Sequence, residues 1–293
     1  MAFATRPQFA WQLRTRSLTL GERTLLMGIL NVTPDSFSDG GLFLAHDAAV
    51  EHGLTLLEEG ADLLDIGGES TRPGAAPVSA EEEQARILPV LRALLEARPD
   101  ALISVDTYHV ATARLALAAG AEIINDVSGL LWDPGMAEEL AAGRPGAVLM
   151  HTRGAPRLWS GLPALPHDQI LPLVISGLAR SLQIAEAAGI DRASLVLDPG
   201  FGFGKRGAEN FILLAGMAEL QQFHLPLLAG VSRKRFLTAH VTQPGDQDRR
   251  DATLAANVAS VLAGAHILRV HDVAAARAAT AIADALLGQA TLL

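Results

Sequence analysis

The sequence predicts an α/β fold, a (β/α)8 TIM barrel with an N-terminal β-hairpin closing its bottom, and three observations carry that prediction. Eight short apolar runs, most ending in Gly, Asp or Asn, alternate with longer amphipathic segments, the pattern of a parallel sheet wrapped by crossover helices. The chain has 293 residues, and a barrel of eight strand-helix units typically takes about 250. A short signature also recurs. Gly60-Ala61, Gly120-Ala121 and Gly264-Ala265 each close a helix and open a strand, and Asp65, Asn125 and Arg269 each follow five positions after the glycine. A constant distance from helix C-cap to polar residue puts these three side chains at equivalent strand ends in different units. Barrel enzymes keep their chemistry at such ends.

In chain order, two alternating runs at 9–13 and 17–20 read as the hairpin. Strands are expected at 24–31, 62–66, 102–106, 122–126, 147–151, 194–198, 226–230 and 266–270, each followed by a helical segment. Two strand-to-helix loops, 32–45 and 67–79, are rich in Gly, Pro and Ser and read as lids, and 152–166 is a third long connection. No linker or low-complexity stretch interrupts the chain, so residues 1–293 are expected to form one domain.

Composition narrows the function classes. Hydrophobic residues make up 49% and charged residues 19% of the chain, enough apolar surface for a large core. The net charge of -9 excludes a broad basic face for nucleic acid, so any phosphate must be held by a local cluster. The absence of cysteine excludes disulfides, thiolate metal sites and a cysteine nucleophile. Residues 1–12 lack the apolar core of a secretion signal, and 252–268 reads as a helix plus a strand rather than a membrane span, so the expectation is a cytoplasmic chain without a membrane partner. Of 23 basic residues only Lys205 and Lys234 are lysines, a bias that points to both as places where a compact ammonium is needed.

Asp106 and Asp198 each leave an apolar run at its end. Either could be a local cap. Two carboxylates with Asn125 in one barrel mouth also suit a guanidine-like heterocycle edge, as a pterin or a guanine carries. Ser232-Arg233-Lys234-Arg235 follows the seventh strand and is expected to open a helix with Ser232 as its N-cap. Three cations there oppose the helix dipole, which marks Lys234 as a ligand contact. Arg269 and His271 point the same way from the last strand and form a small anion clamp, near the place where barrels often hold phosphate. Gly200-Phe201-Gly202-Phe203-Gly204-Lys205 lacks the spacing of an ATP-binding loop; its glycines let backbone approach a ring on which Phe203 can stack. Asn31, ending the first strand, either caps the turn before Pro34 or ligates a cation such as Mg2+ through its amide oxygen.

Taken together, the motifs Gly28-Ile29-Leu30-Asn31-Val32-Thr33-Pro34-Asp35-Ser36-Phe37-Ser38-Asp39-Gly40, Asp65-Ile66-Gly67-Gly68-Glu69-Ser70-Thr71-Arg72-Pro73-Gly74, Ser104-Val105-Asp106-Thr107, Ile124-Asn125-Asp126-Val127, Asp198 to Lys205, Ser232-Arg233-Lys234 and Arg269-Val270-His271-Asp272-Val273 resemble the dihydropteroate synthase family of pterin-binding barrels, in the family's order. The resemblance implies condensation of a dihydropterin-methyl diphosphate with 4-aminobenzoate, giving 7,8-dihydropteroate and diphosphate, in folate biosynthesis. It implies that Asp106, Asn125, Asp198 and Lys234 bind the pterin and that Asn31, Arg269 and His271 hold the diphosphate, Asn31 with Mg2+. Thr71, Arg72, Phe203 and Ser232 would line the aminobenzoate pocket, and Asp35 would act from a loop closing over the site, with Asp35, Asp106 and Lys234 as the catalytic set.

Because the leaving group is a diphosphate, no protein nucleophile is required, and a dissociative, SN1-like substitution is expected. On this reading Asp106, Asn125 and Asp198 form an acidic side, Arg269 and His271 a cationic side, and Lys234 their join. Arg235 stands where many relatives carry a small residue, and His151-Thr152-Arg153-Gly154 is one form of a variable loop. The nearest rival is a methyltetrahydrofolate-type corrinoid methyltransferase, which has no diphosphate to bind and so no use for the Lys234, Arg269 and His271 cluster. A non-catalytic pterin-binding relative would be expected to lose loop or clamp residues, and here they are present. The family and the apolar C-terminal segments 253–264 and 273–288 lead to an expected homodimer.

Overall fold

The computed structural model describes residues 6–33, 41–69, 77–239, 241–242 and 244–290. The hairpin is β1 (Phe9–Gln12) paired antiparallel with β2 (Ser17–Leu20). The barrel strands are β3 (Leu25–Asn31), β4 (Leu63–Gly67), β5 (Ile103–Asp106), β6 (Ile123–Asp126), β7 (Gly146–Met150), β8 (Leu195–Asp198), β9 (Leu228–Ala229) and β10 (Ile267–Val270). All pair in parallel, in the order β8-β7-β6-β5-β4-β3-β10-β9, and a bridge between Leu197 and Leu227 joins the two ends. Outside them lie α1 (Gly41–Glu58), α2 (Ala80–Ala97), α3 (Val110–Ala118), α4 (Met136–Gly143), α5 (Ile170–Ala187), α6 (Ala208–Ala215), α7 (Asp246–Leu262) and α8 (Val273–Ala290).

The expected strands are present, and the seventh is shorter than 226–230 for a local reason. Pro226 has no N–H to donate, and the Leu227 N–H goes to the His266 side chain at 3.1 Å. The closing seam therefore rests on few bonds, among them Leu197 N–H to the Pro226 carbonyl at 3.0 Å.

Strand alternation sorts the side chains. Leu63, Leu102, Ile123, Val148, Val196, Leu228 and Ile267 form one apolar layer inside the barrel, which Trp11, Leu13 and Leu20 of the hairpin segment cap from below. Trp11 is fully buried and donates its indole N–H to the Ser194 carbonyl at 2.7 Å. Intervening residues such as Leu64, Ile66, Ile103, Val105, Ile124 and Leu149 face outward into the larger core under the helices. α5 has the length and apolar composition of a membrane-crossing helix. In the structure its Ile170, Val174, Leu178 and Ala185 are buried in that same outer core.

Two residues above each inner apolar side chain, alternation returns to the same face. There stand Asp65, Ser104, Asn125, Met150, Asp198, Gly230 and Arg269. The interior thus turns from apolar at the bottom to polar within one layer, which locates the site.

Candidate active site

Asp65 is the centre of the polar layer. It is fully buried. Its Oδ1 accepts from the Ser104 hydroxyl at 2.6 Å, and its Oδ2 accepts from Asn125 Nδ2 at 3.0 Å and from Arg269 Nε at 2.6 Å. The three residues at equal spacing after Gly60, Gly120 and Gly264 are therefore joined through Asp65, which bonds both of the others. The glycines share a left-handed backbone, with φ of 103°, 108° and 103°. In the sequence that spacing marks Asp65 as a strand-end residue, but nothing local to it gives it a role.

Arg269 reaches further, donating from Nη2 to Asp106 Oδ2 at 2.8 Å. This corrects the division into an acidic and a cationic side: the guanidinium lies between Asp65 and Asp106. The physical reason is that two carboxylates inside a barrel need a nearby cation, and the fork of Arg269 meets both. Among the described residues no hydrogen bond takes Asn125 Oδ1 or the second oxygen of Asp106, so both are left as acceptors. Asp198 accepts from the Gly200 N–H at 2.7 Å through Oδ1, leaving Oδ2.

Burial sets the charge states. It pushes the Asp106 carboxyl above the usual range, with Arg269 opposing and Asp65 adding to the rise. It pushes Asp198 up to about 6, against the Gly200 N–H and the nearby Lys205 and Lys234. It draws the Lys234 ammonium down to about 8, helped by Arg269 and opposed by Asp198 and Asp106. His271 is drawn down to about 3 by burial and then by Arg269 and Arg233. The histidine of the expected clamp is thus a neutral ring in the ligand-free protein.

The segment after β9 corrects a second expectation. Ser232 does not cap an α-helix; Arg233 takes φ of 56°, and a single 3-10 turn runs Arg235–Thr238 after Lys234. The Arg233 N–H is held by Thr253 Oγ1 at 3.0 Å and its guanidinium pairs with Asp272, Nε to Oδ2 at 3.0 Å. Arg235 is exposed. No α-helix starts here, so the dipole conflict never arises; Asp272 pairs with Arg233, Arg235 faces solvent, and Lys234 has its Nζ 4.3 Å from the centroid of the Phe203 ring.

Phe203 is placed there by the glycine loop. Gly200, Gly202 and Gly204 have φ of 67°, 80° and 72°, values open to glycine at little cost. They turn carbonyls onto Lys205, whose buried Nζ donates to the carbonyls of Gly200 at 2.7 Å, His151 at 3.1 Å and Phe203 at 3.4 Å. Asn210 fastens the loop from outside, accepting the Gly202 N–H at 2.6 Å. Trp159, from the third long connection, packs edge-on against Phe203 with centroids 5.2 Å apart. The two lysines thus have different work, Lys205 inside the loop and Lys234 in the mouth.

Lys205→Met leaves three carbonyls without that donor, and an expected loss of about 1–3 kcal/mol follows at pH 7. Burial holds Lys205 down to about 7. In the native protein the cost of its charge is complete below that value and fades as pH rises toward the unfolded lysine pKa. The stability gap between the native protein and the variant should therefore widen from pH 7 to 10. Thermal unfolding across that range measures it, and a constant gap would contradict this account of the loop.

Asn31 ends β3 opposite Gly67, and Gly67 lies opposite Asp106. A Cβ on Gly67 would stand 3.8 Å from both Asn31 Oδ1 and Asp106 Oδ2, so the missing side chain leaves a gap flanked by an amide and a carboxylate oxygen. Asp35, Thr71 and Arg72 lie outside the described residues. Behind Asp106 is a polar cluster that sequence reasoning missed. Thr107 Oγ1 donates to Glu83 at 2.7 Å and the Tyr108 hydroxyl donates to Glu69 at 3.2 Å. Both carboxyls are raised by burial. Glu83 sits inside α2 among surface acids, so its sequence neighbours hide it.

The pterin binding enzyme family matches residues 27–271. Dihydropteroate synthase of Escherichia coli strain K12 is 44% identical over 85% of this chain and 86% of its own length. The mitochondrial folate synthesis bifunctional protein of Pisum sativum is 41% identical over 93% of this chain, which spans about half of that longer protein, 55%. Among solved structures, Xanthomonas albilineans dihydropteroate synthase with 4-aminobenzoic acid is 45% identical, with a TM-score of 0.86 over 96% of this chain and 98% of that one. With a family match across the whole barrel and relatives of this identity along most of their length, the chain belongs to the pterin-binding enzymes and, among them, to the dihydropteroate synthase family.

Proposed function

We propose that the chain condenses (7,8-dihydropterin-6-yl)methyl diphosphate with 4-aminobenzoate to give 7,8-dihydropteroate and diphosphate, in folate biosynthesis. The observation that supports this reading is the polar layer in which Asp65 and Arg269 tie Asn125 and Asp106 together, with Asp198, Lys234 and His271 close enough to interact electrostatically with its charges. The carboxylates accept hydrogen bonds from the guanidine-like edge of the pterin, and the ring enters beside Phe203 and Lys234. As the bond between methylene carbon and diphosphate oxygen breaks, its electron pair leaves with the diphosphate. The positive charge left on the pterin-methyl group is stabilised by the nearby carboxylates. Arg269, Lys234 and His271 hold the departing group, the aniline nitrogen forms the new bond to carbon, and its proton passes to diphosphate or water. Asp35, Thr71 and Arg72 belong to this reading through the family resemblance, Asp35 with its loop and the other two with the aminobenzoate; the resemblance gives Ser232 to the aminobenzoate as well, but its hydroxyl bonds His271, a residue of the diphosphate group.

Mg2+ fits the donor set at Asn31, where one amide oxygen faces the gap beside Gly67. Among the described residues no trio of His, Asp or Glu forms a protein cage, and Mg2+ commonly keeps few protein ligands and takes phosphate oxygens and water. Asn31 would hold it, and when bound it would neutralise charge on the diphosphate. A cytoplasmic, single-domain chain and a homodimer through α7 and α8 complete the proposal. Ile282 and Leu286, one turn apart on α8, are 64% and 41% exposed, which supports an apolar contact there. Incubation of the pure protein with the pterin diphosphate, 4-aminobenzoate and Mg2+ should release diphosphate and form 7,8-dihydropteroate. No release at saturating substrates would overturn the reading.

A further inference from the structure

One hydroxyl holds His271 twice. His271 Nδ1 lies 3.0 Å from Ser232 Oγ, and the main-chain N–H of His271 donates to the same oxygen at 3.2 Å. Ser232 is buried, and its side chain makes no other hydrogen bond among the described residues. A serine hydroxyl has one proton and two lone pairs. With a lone pair taken by the backbone N–H, its proton has one acceptor in reach among the described residues, the unprotonated Nδ1. Were Nδ1 protonated, two N–H groups would converge on Oγ and the buried hydroxyl proton would have no acceptor, which is costly.

The charges facing the ring also favour the neutral form. Arg269, Arg233 and Lys234 act on it from β10 and from the turn after β9, and Asp272 is the opposing charge. The Asp272 carboxylate is already engaged by Arg233. A neutral ring whose Nδ1 accepts must carry its proton on Nε2, at the end of the ring away from Ser232.

We propose that Ser232 fixes the tautomer of His271, keeping it a neutral imidazole with an Nε2–H that donates to the diphosphate group. Ser232 is then a positioning residue on the diphosphate side of the site, and its main effect is not on 4-aminobenzoate. In this division of labour Arg269 and Lys234 supply charge and His271 supplies direction, since a donor with a fixed proton binds an anion without first having to take one up. The diphosphate part of the inference rests on the function proposed above; the tautomer does not.

The test uses the full chain with 15N-labelled histidine. Long-range 1H–15N correlation reports which ring nitrogen carries the proton, and the His271 signals are identified by their absence in His271→Gln. The expected native pattern is a bare Nδ1 and a protonated Nε2, with the preference lost in Ser232→Ala and restored in Ser232→Thr. Inorganic pyrophosphate, titrated calorimetrically, should bind roughly 10-fold more weakly to Ser232→Ala, the size of a hydrogen bond to a charged group. The KM for 4-aminobenzoate should stay unchanged. A native ring protonated at Nδ1 overturns the proposal, and so does a Ser232→Ala protein that loses aminobenzoate affinity while holding pyrophosphate as before. The native spectrum is read without ligand, so it decides the tautomer even if Ser232→Ala fails to fold or the chain makes no dihydropteroate.

Discussion

Arg269→Met is expected to cost about 3–5 kcal/mol of stability, because removing one partner of a buried ion pair leaves an uncompensated charge behind. The guanidinium side chain is 19% exposed, Asp65 is fully buried and Asp106 is 15% exposed, so solvent cannot replace the lost bonds. An arginine that served as a surface clamp for diphosphate would give a different result, lost activity with unchanged stability. The pH dependence has a definite sign. Burial already raises the Asp106 carboxyl and Arg269 opposes that rise. Without Arg269 the carboxyl rises further, so the penalty is complete where Asp106 is ionised and eases as pH falls and it takes up a proton. Urea unfolding of the variant at pH 8 and pH 5.5 measures both parts. Equal stability of the native and variant proteins at pH 8 would show that Arg269 does not hold the polar layer together.

Lys234→Met should separate stability from activity in the opposite way. Its turnover efficiency, kcat/KM, is expected to fall by roughly 100- to 1,000-fold, the scale of losing one group aimed at developing charge in a water-poor site. Its thermal midpoint at pH 7 should hold or rise. Burial draws the Lys234 ammonium down to about 8, so the native fold bears a cost for that charge below pH 8 that fades as pH rises toward the unfolded value. Methionine keeps the stem over the Phe203 ring and removes the charge. A variant with native activity would remove Lys234 from the proposed mechanism, and a collapse in stability would mean that its charge holds the mouth together.

How much was legible in the sequence follows from how local each signal is. Parallel strands buried on both faces read as apolar runs, and Gly60, Gly120 and Gly264 mark the starts of three of them, so the barrel and the places of Asp106, Asn125, Asp198 and Arg269 are legible in the sequence. The turn at Ser232 was misread because a Ser followed by a helix-like run looks the same whether the next residues continue a helix or are held by Thr253 and Asp272, 20 and 39 positions away from Arg233. Lys205 and Lys234 look alike as survivors of an arginine-rich composition, and only the packing around each shows that one is enclosed by backbone carbonyls and the other faces the mouth.

Local patterns of alternation, capping and turn chemistry thus specify the barrel, its orientation and the strand ends that carry chemistry, because each depends on neighbours a few residues apart. The partners of those strand-end charges are a matter of three-dimensional closure. Asp65 and Arg269 are 204 positions apart, and they meet because β10 closes beside β3 and a buried carboxylate must find a donor. That closure turned two presumed electrostatic halves into one hydrogen-bonded layer, with the substrate groups left to compete for its outer oxygens and nitrogens.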